Sequence, residues 1–126
     1  MKKLTIIFEK TGTGYSAFAE DLPVYTVGRN LDELKKNIIE ALNLYFEERK
    51  VEITENDVNI KLDLPQFFDF YKVINAKVLS ERIGMNQSLL AQYINGNKKP
   101  SSTQTQRILK GVQQIGRELS EISFLL

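Results

Sequence analysis

Apolar side chains recur at every second position in three short runs near the start of the chain. LTIIFE (4–9) sets Leu4, Ile6 and Phe8 on one face, YSAFAE (15–20) alternates again, and YTV (25–27) is a third, shorter run. Period-two alternation between turn residues predicts strands. Gly12 and Gly14 in the intervening KTGTG supply the positive φ that a hairpin connection uses, while the same TGTG lacks the lysine–threonine ending and the helix onset of a phosphate loop. DLP (21–23) turns the chain once more, and Gly28 ends the third run.

The period then lengthens. Leu31, Leu34, Ile38, Leu42 and Tyr45 fall three and four residues apart, with Lys35, Lys36, Glu40, Glu47 and Glu48 between them, which predicts one long amphipathic helix. Asn30 with Glu33 three positions on is the capping-box spacing that starts it. DVNIKLDL (57–64) alternates Val58, Ile60, Leu62 and Leu64 as a fourth strand, giving β-β-β-α-β before Pro65. Beyond Pro65 four helices follow: 67–74, Ala76–Ile83, Gln87–Ile94 and 103–122, the last capped by Ser101 or Ser102. The predicted class is α+β, with a sheet domain over 1–65 and an all-α domain over 66–126.

Composition narrows the chemistry. With no cysteine and no histidine in 126 residues, thiolate ligands and the commonest general base are both missing. The expectation is a protein that is not an enzyme and carries no cofactor or metal. The apolar run of MKKLTIIFEK stops at Glu9, too short for a signal core or a membrane span, so a cytoplasmic protein with no membrane partner is expected. A net charge of +1 hides an asymmetry: residues 1–66 hold nine Lys/Arg against twelve Asp/Glu, and residues 67–126 hold eight against four. A basic second half suits a phosphate backbone, and an acidic first half suits a basic protein.

RIGMNQSLLAQYINGNKKP (82–100) gives the basic half its purpose. Two helices joined by a turn at Gly84 have the spacing of a helix-turn-helix, whose second helix lies in the major groove. Leu79, Ile83, Leu90, Tyr93 and Ile94 hold the helices together, Ser80 is small enough for a close crossing, and Asn86 caps the second helix. Gln87 and Ser88 stand in its first turn and Gln92 one turn further, where short polar side chains reach base edges. Lys98 and Lys99 follow the helix and suit flanking phosphates; Arg107 and Lys110 either extend this basic rim or form a plain solvated face. The expected DNA-binding set is Asn86, Gln87, Ser88, Gln92, Lys98 and Lys99. From Leu79 to Pro100 the pattern resembles the XRE, or phage-repressor, type of helix-turn-helix.

The stretch from Tyr15 to Glu48 resembles the HicB antitoxin family, with a strand ending in aspartate–leucine–proline, then a threonine and a glycine, then a long amphipathic helix. Val24 stands where that family usually has glycine. The resemblance implies a reduced ribonuclease H-like domain that neutralises a small basic HicA-like ribonuclease toxin, and a C-terminal domain that binds double-stranded operator DNA and represses the shared operon. Glu20, Asp21 and Tyr25 are the residues expected to face the toxin. One rival keeps the DNA surface in a stand-alone XRE-type regulator with an N-terminal dimerisation or sensing domain. A second, a metal-dependent nuclease, would need converging acids, and Glu9, Glu20, Asp21, Asp57 and Asp63 all lie at predicted strand ends or turns. The apolar tail with Ile122, Phe124, Leu125 and Leu126 either joins a homodimer, or a higher even-numbered oligomer, or covers the core of its own domain.

Overall fold

Alternation in the first 28 residues does produce three strands. In the computed structural model, which describes residues 3–123, these are β1 (Leu4–Lys10), β2 (Tyr15–Ala19) and β3 (Tyr25–Gly28). β1 and β2 form an antiparallel hairpin, with Ile6 opposite Ala19 and Lys10 opposite Tyr15. Its turn is closed by the Thr11 N–H donating to the Gly14 carbonyl at 2.8 Å. β3 pairs antiparallel with β2, Tyr25 opposite Phe18. β4 (Val58–Leu62) returns parallel to β1 on its other side, so the mixed sheet runs β3-β2-β1-β4.

The long helix α1 spans Leu31–Tyr45 and buries Leu34, Ile38 and Leu42 against Ile6, Ala17, Ala19 and Val58 of the sheet. Of the five stripe positions, Leu31 and Tyr45 are exposed, because the end turns of the helix overhang the core. Asn30 caps α1 by accepting from the Glu33 N–H at 2.8 Å. Glu33 does not return the bond as a capping box requires; its carboxylate accepts from Arg29 Nε at 3.1 Å. Two single 3-10 turns, Glu47–Arg49 and Glu55–Asp57, lead to β4. Asn43 fastens this return by accepting from the Ile53 N–H at 2.7 Å and donating to the Ile53 carbonyl at 3.0 Å, which buries Ile53 in the sheet core.

Four helices complete an α+β chain: α2 (Leu64–Phe70), α3 (Ala76–Ile83), α4 (Gln87–Ile94) and α5 (Ser102–Ser120). The chain divides into two compact units, Met1–Phe70 and Tyr71–Leu126. The helix expected over 67–74 instead starts at Leu64, ends at Phe70 and belongs to the sheet unit. The cause is local. Asp63 accepts from the Gln66 N–H at 3.1 Å, starting the helix immediately after β4, and the Gln66 side chain bonds the Lys10 N–H (3.0 Å) and carbonyl (2.7 Å) at the end of β1. Phe124, Leu125 and Leu126, to which the sequence gives an interface or core role, lie outside the described residues. Among the described residues no helix is long and apolar enough to cross a membrane.

Candidate functional site

The second unit is held by a few closely fitted groups. Asn75 starts α3 by accepting from the Val78 N–H at 3.2 Å. Leu79 and Ser80 on that helix are buried, and the Ser80 hydroxyl donates to the Lys77 carbonyl at 2.6 Å, so a polar side chain sits in the crossing without an unmet bond. Gly84 ends α3 with φ +65°, the left-handed region that a side chain disfavours. Two residues later Asn86 accepts from the Leu89 N–H at 3.2 Å and starts α4, which buries Leu90 and Tyr93.

α5 closes the unit. Ser101, of the two serines available, caps it by accepting from the Gln104 N–H at 3.1 Å, and Ile108 is fully buried. Gly111 lets α5 approach α3, since a Cβ there would stand 2.4 Å from Ile83 Cγ2 and 3.2 Å from Leu79 Cδ1. Arg107 donates to the Ile83 carbonyl through Nε (3.2 Å) and Nη2 (2.7 Å) and to the Gly84 carbonyl at 2.7 Å. It therefore satisfies the orphan carbonyls at the end of α3 and is not simply part of a basic rim. Lys98, Lys99 and Lys110 are exposed.

Gln87 and Ser88 stand exposed in the first turn of α4, next to the capping Asn86. Gln92 is half-buried, and its backbone carbonyl accepts from the Lys98 N–H at 3.1 Å. That bond, with Gly96 at φ +83°, folds the INGNKKP segment back over the end of α4 and fixes where the two lysines begin. The unit thus brings together a capped helix start with free-standing amide and hydroxyl groups, and two cations beyond the helix end. Such a surface can donate and accept hydrogen bonds on an edge while pairing with anionic oxygens on either side.

In the sheet unit Glu20, Asp21 and Tyr25 cluster at the β2–β3 turn, all exposed. The turn is tight: Ala19 N–H donates to the Val24 carbonyl at 2.9 Å, Val24 N–H to the Leu22 carbonyl at 2.8 Å, and Glu20 N–H to the Thr5 carbonyl at 3.0 Å. Val24 is buried in the sheet core. Glu9 lies within β1, its carboxyl raised above the usual value by burial first and then by a hydrogen bond with Asp63 and the charge there. Among the described residues no group of three or more acids, histidines or cysteines converges as a metal site would need. Sequence reasoning missed the Arg107 cap and the Asn43–Ile53 pair; neither carries a local pattern, because each joins residues that only the fold brings close. Compared with known proteins, the chain matches no family model and no curated protein.

Proposed function

We propose that the chain is a two-part antitoxin and autorepressor: the helix unit binds operator DNA as an XRE-type helix-turn-helix, and the sheet unit, a reduced ribonuclease H-like domain, binds a small basic ribonuclease toxin. One observation carries the DNA reading. α3 and α4 are joined through a left-handed Gly84, and α4 opens on exposed Gln87 and Ser88 with Lys98 and Lys99 beyond its end. In this reading α4 enters the major groove, the two first-turn side chains read base edges, and the lysines neutralise flanking phosphates. Arg107 supports this arrangement by fixing the turn between the helices. The toxin reading rests on the HicB resemblance together with Glu20, Asp21 and Tyr25, which stand at one exposed turn and offer two negative charges to a basic partner.

Titrations on operator and scrambled duplexes at several salt concentrations test the DNA reading. Gln87→Ala should cost about 1–3 kcal/mol on the operator and almost nothing on scrambled DNA. Replacing Lys98 and Lys99 together should weaken both and make the log–log salt slope shallower by about two units per chain. A folded Gln87→Ala protein with undiminished operator preference would remove that residue from base reading. Co-purification of the neighbouring gene's product with residues 1–70 tests the toxin reading, and failure of that folded fragment to bind it would reject the division of labour.

A further inference from the structure

Asn95 ends α4, and Gly96 follows it with φ +83°, the left-handed turn that stops a helix and that glycine takes without a side-chain penalty. The cap therefore sets a glycine directly after an asparagine, and no other asparagine of the chain is followed by one. That order matters chemically. The carbon of an asparagine side-chain amide is attacked most readily by the next residue's backbone nitrogen when that residue has no Cβ to block the approach. Asn86, in the same unit, is followed by Gln87, and Asn97 by Lys98, whose side chains stand in the way.

The fold leaves the Asn95 amide open to that attack. Asn95, Gly96 and Asn97 are all exposed, so water reaches the pair. The Gly96 N–H donates to the Tyr93 carbonyl at 3.4 Å, beyond the usual range for an amide bond, so the nitrogen is weakly held. Asn95 Oδ1 accepts from the Asn97 N–H at 3.0 Å, a bond that arches the side chain forward over the Gly96 peptide and draws electron density from Cγ. Asn43 contrasts with it, since both ends of its amide are bound to the Ile53 backbone and Leu44 follows it. With Asn95 at ψ 0° the Gly96 nitrogen is turned away from Cγ, so the reaction waits on fraying of this last helical turn.

We propose that Asn95–Gly96 is a self-modifying site, which converts to aspartate and isoaspartate and lowers the charge of the segment carrying Lys98 and Lys99. The Gly96 nitrogen bonds to Asn95 Cγ as the Cγ–Nδ2 bond breaks; ammonia leaves with the hydrogen of the Gly96 amide, and a cyclic succinimide closes. Water then adds to a ring carbonyl. Breaking the new bond to Cγ gives aspartate on an unchanged backbone, and breaking the bond to the Asn95 carbonyl carbon gives isoaspartate, whose chain runs through the former side chain. Lys98 and Lys99 give the segment a charge of +2, and one carboxylate leaves +1. An aspartate still accepts from the Asn97 N–H, so the turn is kept while its charge changes. The consequence rests on the DNA reading above: a carboxylate close before the phosphate-pairing lysines repels the duplex and ages the protein out of DNA binding. The reaction itself does not depend on that reading.

The full chain, held at neutral pH and physiological temperature, is sampled over days, digested with trypsin and read by tandem mass spectrometry. The tryptic peptide 83–98 carries both Asn95 and Asn86, so Asn86 is the internal reference. Asn95 should convert several-fold faster than Asn86, and an isoaspartate-specific methyltransferase should label the aged unsubstituted protein and leave aged Asn95→Gln unlabelled. Equal rates at the two asparagines overturn the site. Asn95→Asp isolates the consequence: with an unchanged far-ultraviolet circular dichroism spectrum, it should bind operator and scrambled duplexes several-fold more weakly at low salt, the difference shrinking as salt rises. The aged protein should lose binding in proportion to its converted fraction. Undiminished binding by a folded Asn95→Asp protein overturns the loss of DNA binding. An unsubstituted protein that binds neither duplex removes the DNA reading and that consequence together, while conversion at Asn95 still shows in the mass spectrum.

Discussion

The sheet unit and the helix unit bury their apolar side chains in different ways. In the first, one helix lays Leu34, Ile38 and Leu42 across a sheet lined by Ile6, Ala17, Ala19 and Val58, so the core is a continuous layer between two surfaces. In the second, α3, α4 and α5 contribute Leu79, Leu90 with Tyr93, and Ile108, and the helices come close enough only because Ser80 and Gly111 are small. A layer tolerates variation in any one contact, since its neighbours remain packed. A crossing of short helices concentrates its energy at few positions and adds polar fasteners such as Arg107 on the Ile83 and Gly84 carbonyls.

The largest expected effect tests that concentration. Ile108→Ala removes the fully buried side chain of α5 and should destabilise the helix unit by about 2–5 kcal/mol. Residue-resolved hydrogen exchange should show lost protection across α3, α4 and α5 while the β1 and β2 amides keep theirs. Equal loss in both units would mean that the chain unfolds as one cooperative body and that the contrast between the cores has no thermodynamic consequence.

A smaller effect sharpens the same contrast through glycines. A Cβ on Gly28 would stand 2.5 Å from the Leu34 N and 2.6 Å from its Cα, backbone atoms that cannot swing aside. Gly28→Ala should therefore cost about 1–3 kcal/mol by overpacking β3 against α1. Gly111→Ala meets the branch methyl Cγ2 of Ile83 at 2.4 Å, which a stiff χ1 holds in place, and should cost a comparable amount by overpacking α5 against α3. Gly116, further along α5, has nothing within 4 Å among the described residues, and Gly116→Ala should stabilise by about 0.5–1 kcal/mol through helix propensity alone. Chemical unfolding of the three variants gives the ranking, and a destabilising Gly116→Ala would reveal a neighbour outside the described residues.

The same difference explains what the sequence made legible. Period two and period three-to-four patterns are local, so the strands, α1, α3 and α4 emerged from them, and α3 and α4 run over the expected residues. The placement of β4 beside β1 had no such signal, because a parallel return depends on the Asn43–Ile53 bonds that fold the intervening segment. α2 was misplaced for a related reason: its aromatic run fits helix anywhere over 64–74, and the Gln66 bonds to Lys10 decide where it starts. At the candidate site Gln87, Ser88, Lys98 and Lys99 were named as exposed polar groups and are exposed, whereas Gln92 turned half inward because the next segment folds back over its turn. The exposed β3 edge was hidden in a short alternating run whose Tyr25 and Val27 could have pointed either way.

The smallest expected effect concerns two carboxylates that respond to pH with opposite sign, one in each unit. Glu118 on α5 accepts two bonds from Arg82, at 2.8 and 2.9 Å, and these bonds first, then the charge of Arg82, hold its carboxyl down at about 2 from a usual 4.5. A lowered folded value means that the ion pair contributes in full above about 4.5 and loses its contribution as pH falls toward 2. Both partners are well exposed, so water and salt keep the contribution small. Glu9 in β1 is the reverse: burial, then the hydrogen bond and charge of Asp63, raise its carboxyl, so ionising it opposes the fold. That penalty is absent below the usual value, where Glu9 is protonated in both states, and grows as pH rises through the raised one. Glu118→Gln should therefore lower the denaturant midpoint at neutral pH, with the difference vanishing toward pH 2. Glu9→Gln should raise the midpoint at neutral pH, keep a hydrogen bond to Asp63, and lose its advantage at acid pH. Midpoints measured for both variants from acid to neutral pH should diverge from the unsubstituted protein in opposite directions as pH rises; a Glu9→Gln protein that is weaker at neutral pH would show that its ionised carboxylate is held by a favourable partner instead of opposed by Asp63.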